Sequence, residues 1–401
     1  MTLRRLTFAA LALSLLGAGW LLAADVSPAK AADTYDINVI LPLTGGASFL
    51  GKSEQQSLQL GEKWVNEHGG IGGGKQLRLI FHDDQTSPQT AVQLTNQALA
   101  GHPAVIFGSA LVAMCNAMAP LVQNGPMMYC LSPGVHPGAG SYVFTCSVST
   151  YDLAKTIMRY FRMKGWTNIA VLTSTDASGQ DASKGINIAL ELPENKTAMK
   201  VVAWEHFTPS DVSVAAQIEK IKAAKPQAFI AWTTGAPVAT VFKGVVQAGL
   251  DVPVATTDGN MTYAQMTQYA SFLPKQLYIP AAHWATHGSG AKQDAGVQKA
   301  QEAWDAAYKA AGINPDVASA HPWDPLMIVV EGLRKFGPNA TAQQLRDYVG
   351  HLKGYAGING VYDFEREAQR GLTVTDAIVT TWDATKKTWV PVSEPAGAPM
   401  K

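Results

Sequence analysis

From Tyr35 to Asp258, short apolar runs and longer amphipathic stretches alternate almost without a break. YDINVILPL, RLIFHDD, AVIFGSA and MMYCLSP read as buried strands, and NIAVLTSTD, MKVVAWEHF, QAFIAWTTG and VPVATTD repeat the rhythm after residue 168. Between them apolar residues recur at helical spacing, as in SPQTAVQLTNQALAG, where Ser87 stands as an N-cap and Pro88 at the first helical position. Such alternation predicts parallel sheets covered by helices on both faces. Three more helical patterns follow Leu277: AGVQKAQEAWDAAYKAAG, PLMIVVEGLRKFG and TAQQLRDYVGHLKG. The last segment, TDAIVTTWDATKKTWVPV, reads as an antiparallel hairpin. No linker or fixed repeat marks a single boundary, so the pattern predicts two α/β lobes joined by several crossings.

One stretch invites a nucleotide reading. WVNEHGGIGGGKQLRLIFHDD carries five glycines between Gly69 and Gly74, then Lys75. A phosphate-binding loop runs from strand through glycines to helix and ends in Lys-Ser or Lys-Thr. Here a helical pattern precedes the glycines, a strand pattern follows them, and Gln76 follows the lysine. The run is therefore read as a helix-to-strand connector, and no nucleotide or other cofactor is expected.

The N-terminal residues add a location. Arg4 and Arg5, the apolar run Leu6 to Ala24 and the Ala29-Lys30-Ala31 exit together read as a cleaved secretory signal over residues 1–31. No cysteine lies near the cut, so neither a lipid nor a stable membrane anchor is expected. Without that segment the chain keeps 28 basic and 30 acidic residues, having lost Arg4, Arg5, Lys30 and Asp25. This balance offers nothing to nucleic acid or to an anionic membrane. Cys115, Cys130 and Cys146 allow at most one disulfide. Cys130 and Cys146 are the first pair to expect, because both lie in strand-like runs. His283 and His287 have the spacing of two ligands on one helical turn but no third nearby, so no metal is expected.

In parallel α/β sheets, ligands bind at the carboxyl ends of strands. Four such ends, LPLTGGASFLG, IFGSALVAMC, CLSPGVHPG and TSTDASGQD, are dense in small residues whose amides a ligand can approach. Together with the signal sequence, the ordered set INVILPLTGGASFLG, VNEHGGIGGGKQLRLIFHDD, SPQTAVQLTNQAL and GPMMYCLSPGVHP resembles the type I periplasmic substrate-binding proteins of ABC importers. Within these it is most similar to the leucine/isoleucine/valine-binding group. The resemblance spans about Tyr35 to Val392. It implies two Rossmann-like lobes, 32–148 with 281–361 and 149–280 with 362–393, followed by a tail, 394–401. Three hinge crossings are then expected near Ser147–Thr150, Leu277–Ala281 and Val361–Phe364.

The resemblance also implies ligand positions. Phe49 or Leu50 would touch the ligand side chain. Amides around Val112, Ala113 and Met114 would take a carboxylate, Gly134 would give a backbone contact, and His136 stands where the family has threonine. Ser178 and Gly235 replace aromatic walls, and Asp258 falls near the acid that pairs with a ligand's ammonium group. Small residues at 178 and 235 and a polar His136 point to a wider carboxylate, an aromatic acid such as a benzoate or cinnamate derivative. A branched-chain or other hydrophobic amino acid is the alternative that Asp258 supports. No nucleophile–base set or glycine-flanked serine is present, so an enzyme is not expected. A signalling receptor would add a membrane span and an output domain, and neither is read here. The expectation is a periplasmic, monomeric receptor that closes on its ligand and delivers it to the permease and ATPase subunits of an importer.

Overall fold

In the computed structural model, residues 33–289 and 293–400 are described; the expected signal sequence lies outside them. The first part of the chain runs β1 (Thr34–Leu41), α1 (Ser48–Glu67), β2 (Gln76–Asp83), α2 (Pro88–Leu99), β3 (Val105–Phe107), α3 (Val112–Met118), β4 (Met127–Cys130) and β5 (Val143–Thr145). These five strands form one parallel sheet in the order β2-β1-β3-β4-β5. β3, β4 and β5 are buried along their whole length. That is the condition of strands covered on both faces, and the reason their sequences are continuous apolar runs.

The middle runs α4 (Thr150–Met163), β6 (Asn168–Ser174), α5 (Ala177–Leu190), α6 (Pro193–Lys196), β7 (Lys200–Phe207), α7 (Ala215–Ala223), β8 (Ala228–Trp232), α8 (Pro237–Gln247), β9 (Val254–Ala255), α9 (Tyr263–Gln268) and β10 (Leu277–Ala282). The chain then returns to the first sheet through α10 (Ala295–Ala311), α11 (Val317–Phe336) and α12 (Ala342–Gly350), with α11 packed along α1 and α12 against β4. A small antiparallel pair, β11 (Lys353–Ala356) and β12 (Val361–Asp363), precedes the closing hairpin of β13 (Ala377–Asp383) and β14 (Thr388–Pro391). The second sheet has the order β14-β13-β10-β9-β8-β6-β7. Its β10 to β7 part is parallel, and the hairpin adds antiparallel through β13. The fold is thus two helix-flanked, largely parallel sheets. Among the described residues no helix is long and apolar enough to cross a membrane.

Local signals work as read. Ser87 Oγ accepts the amide of Thr90 to open α2. The glycine run joins α1 to β2, and Gly69, Gly70, Gly72, Gly73 and Gly74 all have positive φ, so the run is a turn rather than a phosphate cradle. Three expectations are corrected. Leu277–Ala281 is no crossing but most of β10, held by β9 on one side and β13 on the other, so the passage back to the first sheet follows Ala282. Val361–Phe364 is likewise engaged, as β12 against β11, and the last passage lies between Phe364 and β13. The disulfide is Cys115–Cys130, and Cys146 is a free, buried thiol. Cys130 faces the apolar cluster of α2 and α3 with Met114 and Met118, whereas Cys146 belongs to the main core cluster. Two cysteines on opposite faces of one sheet cannot bridge.

α11 starts eight residues before the segment PLMIVVEGLRKFG. Asp316 caps it by accepting the amide of Ser319, and the helix continues through Pro322 and Pro325. Each proline removes one helical hydrogen bond. Burial of most of the helix, from Val317 to Leu333, outweighs that cost.

The first and last passages between the sheets meet at Arg370, which is 3% exposed. Its Nη1 donates to the carbonyls of Cys146 and Ser147 at 3.2 and 3.1 Å, and its Nη2 to those of Pro133 and Val135 at 3.1 and 2.6 Å. Replacing it by an apolar side chain removes that donor from the buried carbonyls of Cys146, Ser147 and Val135, each loss costing on the order of 1–3 kcal/mol if nothing rearranges, and from Pro133 O, which keeps the Thr150 amide. Arg370→Met is expected to lower stability by about 3–5 kcal/mol in urea unfolding. Arg370→Lys should recover only part, because an ammonium lacks the planar fork. A methionine variant within about 1 kcal/mol of the parent would refute the clamp.

Candidate functional site

A cavity of about 60 Å³ lies where the carboxyl ends of both sheets meet. Leu50 enters it from the first turn of α1, Ala110–Ala113 from the turn into α3, Ser132–Gly134 from the loop after β4, and Thr150 from the start of α4. The second lobe contributes Asp176–Ser178 at the start of α5, Trp232 and Thr234 at the end of β8, and Thr257–Gly259 after β9; His321 comes from α11. Parallel strands put all these loops at one edge, which is why residues far apart in sequence converge.

The polar groups differ in how far they are committed. α3 has no side-chain cap at Leu111, so its first amides keep the donor capacity that helix starts leave unused. Asp176 caps α5 by accepting from the Gly179 amide, and it also accepts from Ser174 Oγ. Ser178 Oγ is 2.8 Å from Thr234 Oγ1. Asp258 is 1% exposed, and its Oδ1 accepts from the Gly259 amide and Thr257 Oγ1 at 2.8 and 3.0 Å. Its Oδ2 has no hydrogen-bond partner among the described residues, although His321 Nε2 stands 3.4 Å away. No lysine or arginine lines the cavity.

Behind this wall sits Glu54, fully buried on α1, with neither carboxyl oxygen hydrogen-bonded among the described residues. Burial pushes its carboxyl well above the usual range, and the neighbouring Asp84 and Asp316 push it further. Asp84 and Asp316 are themselves raised by burial. These shifts favour the neutral acid over the carboxylate at Glu54.

Six of the residues singled out from sequence line the cavity: Leu50, Val112, Ala113, Gly134, Ser178 and Asp258. A side chain at Gly134 would put its Cβ 2.6 Å from Val112 Cγ2, so glycine lets the two loops touch. Four others stand outside. Phe49 packs edge-on against Tyr269, because successive helical residues point about 100° apart and Leu50 takes the inward direction. Met114 turns into the apolar cluster beneath α3. His136 donates its ring to a different junction, with Nε2 3.0 Å from Asp181 Oδ1 on α5 and the imidazole stacked on Tyr151 at 3.9 Å. Gly235 lies at the seam between the lobes. It has φ +84°, a Cβ there would meet Gly46 O at 2.7 Å, and the next amide, Ala236, donates to that same oxygen.

Sequence reading missed His321, Glu54 and Trp232. Trp232 closes an all-apolar strand and reads as core. Glu54 sits on an amphipathic helix among exposed polar residues, with nothing local to mark it as inward. His321 falls just before Pro322, where a helix pattern is interrupted.

A sequence model described as Periplasmic binding protein matches residues 34–387. A leucine-, isoleucine-, valine-, threonine- and alanine-binding protein of Pseudomonas aeruginosa is 22% identical over 383 residues, covering 89% of this chain and 97% of that one. The branched-chain amino acid transporter substrate-binding protein of Streptococcus pneumoniae, solved with isoleucine, superposes with a TM-score of 0.74 at 20% identity, over 90% of this chain and 99% of that one. An ABC-transporter solute-binding protein of R. palustris, solved with benzoate, gives 0.73 at 18% identity, over 91% and 97%.

The buried acid yields a prediction. With its folded-state affinity for the proton raised, Glu54 contributes stability that is complete below the ordinary value of 4.5 and is lost as pH rises toward the folded value. Glu54→Gln, which mimics the neutral acid, should therefore melt at a temperature close to the parent's at pH 4.5. It should melt progressively higher than the parent as pH rises to 8. Thermal unfolding across that range checks it; a constant offset would mean that Glu54 is ionised in the folded protein.

Proposed function

The chain belongs to the periplasmic binding protein family, whose members are ligand receptors rather than enzymes, and from that premise we propose that it receives a small amino acid with an apolar or hydroxyl side chain for an ABC importer. The coarser part, a solute-binding protein of an ABC transporter, follows from the family. The finer part rests on one observation: Asp258 Oδ2, buried and without a hydrogen-bond partner among the described residues, on the cavity wall. An incoming ammonium group gives that oxygen its counter-charge. An incoming carboxylate without an ammonium adds a second anion beside it, and unmatched buried charge costs several kcal/mol, on the order of 3–5. The first amides of α3 suit the carboxylate of the same ligand. The Pseudomonas relative's named ligands fall in this chemical class.

An aromatic acid remains the second reading. Of the residues that pointed to it in the sequence, Leu50 and Ser178 line the cavity, whereas Phe49, His136 and Gly235 do not. What favours it now is the apolar wall of Trp232, Leu50, Leu111 and Pro133, together with His321 as a base able to meet a carboxylate. Export to the periplasm, a monomeric state and delivery to permease and ATPase subunits complete the proposal.

Transport by such a receptor needs an open form, reached by hinge bending at the passages between the sheets. In the described conformation hydrogen bonds between the lobes include Ala236 N to Gly46 O, His136 to Asp181, Val317 N to Met261 O and Tyr263 N to Asp316 Oδ2, which opening must break or rearrange. Small-angle scattering is expected to show a larger radius of gyration without ligand than at saturation; identical profiles would argue against a hinge. Calorimetry decides the ligand. Alanine, threonine, valine, leucine and isoleucine are titrated against benzoate and cinnamate, with micromolar or tighter binding expected for at least one amino acid and a loss of about 100-fold or more in Asp258→Ala. Binding of benzoate alone would replace the amino-acid reading by the aromatic one.

A further inference from the structure

The wall of the cavity holds one imidazole between two carboxyl groups. His321 is 2% exposed, with Nε2 3.4 Å from Asp258 Oδ2 and Nδ1 4.0 Å from Glu54 Oε1. His321 Nε2, Asp258 Oδ2 and both Glu54 oxygens lack hydrogen-bond partners among the described residues. Buried polar atoms are nearly always paired, so adjoining unpaired atoms on a cavity wall call for a reason.

We propose that His321 is a second residue selecting the ligand's amino group: its Nε2 accepts one ammonium N–H while Asp258 Oδ2 accepts another. The inference rests on the amino-acid reading above and names a contact that the sequence did not suggest. An ammonium carries three donors splayed from one nitrogen, and two acceptors 3.4 Å apart can both be reached by it. For Nε2 to accept, the imidazole must be neutral with its proton on Nδ1, the nitrogen that faces Glu54. Glu54 Oε1 stands 4.0 Å from Nδ1, beyond hydrogen-bond distance, and its raised carboxyl favours the neutral form, which draws no second proton onto the ring. Glu54 is thus a positioning residue, acting on the ligand only through the tautomer of His321. The arrangement also discriminates. A ligand lacking the amino group leaves Nε2 and Oδ2 facing each other unmatched, and sites with buried polar groups reject analogues that lack the complementary donor far better than apolar pockets reject a change of size.

The test compares the tightest binder among alanine, threonine, valine, leucine and isoleucine with its des-amino analogue, 3-methylbutanoate in the case of valine, by calorimetry on the full mature chain. The parent should prefer the amino acid by 100-fold or more. His321→Leu is expected to cut that preference at least tenfold through weaker amino-acid binding, with affinity for the analogue unchanged or improved. His321→Gln, which keeps an acceptor, and Glu54→Gln should stay within about threefold of the parent's preference. Equal weakening of both ligands in His321→Leu, or no change in preference, would overturn the inference and leave the amino-acid reading standing. Failure of the parent to bind any of the five would remove both. Should His321→Leu not fold, nitrogen-15 spectra of the histidine-labelled parent give the same answer, assigned against His321→Gln: the complex must show Nε2 unprotonated and Nδ1 protonated, and an imidazolium there refutes the proposal.

Discussion

A buried guanidinium with no carboxylate within ion-pair distance among the described residues organises the junction of the two lobes. Arg370 spends its donors on carbonyls from two places, the passage Cys146–Ser147 and the loop Pro133–Val135 that borders the cavity. Beside it, Gln369 is bonded to Gly140, Ser141, Val143 and Thr145. Ser147 and Gln369 both adopt positive φ, 59° and 62°, a region that costs a side-chain-bearing residue on the order of 1–3 kcal/mol. Such backbone persists where surrounding bonds over-determine it, and the Arg370 and Gln369 bonds are those restraints. The ligand loop and two of the passages therefore form one rigid corner, and any swing of the lobes must be taken up around it.

Electrostatics divides the site in a comparable way. The cavity wall and the layer behind it hold Asp258, Glu54, Asp84 and Asp316, with His321 between Asp258 and Glu54. Burial favours the neutral form of Glu54 and raises Asp84 and Asp316, so the acid count overstates the charge. In the proposed reading a ligand would meet a local pattern of acceptors, with the uncapped first amides of α3 as donors. A zwitterion matches this pairing of acceptors and donors better than a simple anion does.

Most of the architecture was legible in the chain because parallel sheets impose continuous apolar strands and amphipathic helices, a pattern that survives without knowledge of neighbours. The Ser87-Pro88 start, the glycine connector and the final hairpin were readable for the same reason, since each is decided within a few residues. Legibility failed where the outcome depended on partners distant in sequence. Leu277–Ala282 reads equally as a crossing or a strand until β13 arrives from a hundred residues away. Cys130 and Cys146 look like a pair until the two faces of the sheet are distinguished. Strand-end loops were found as a class, yet which residue of Phe49-Leu50 turns inward depends on where α1 begins. His321 is invisible for a related reason: its position follows from the packing of α11 on α1, which brings Glu54 to its other side.

The Cys115–Cys130 bond carries a consequence beyond holding a helix on a sheet. Cys115 lies in α3 just after Val112 and Ala113, and Cys130 stands two residues before the Ser132–Gly134 loop, so the bond rivets together two walls of the cavity. Both walls belong to the first lobe and line the same cavity. A half-site assembled before the ligand arrives spares binding the entropy of ordering it. It also ties competence to chemistry: in a reducing compartment these walls are joined by packing and by backbone bonds such as Leu131 N to Ser109 O, whereas oxidation outside the cytosol adds a covalent link. The receptor would thus acquire its finished docking face only after leaving the compartment in which it is made.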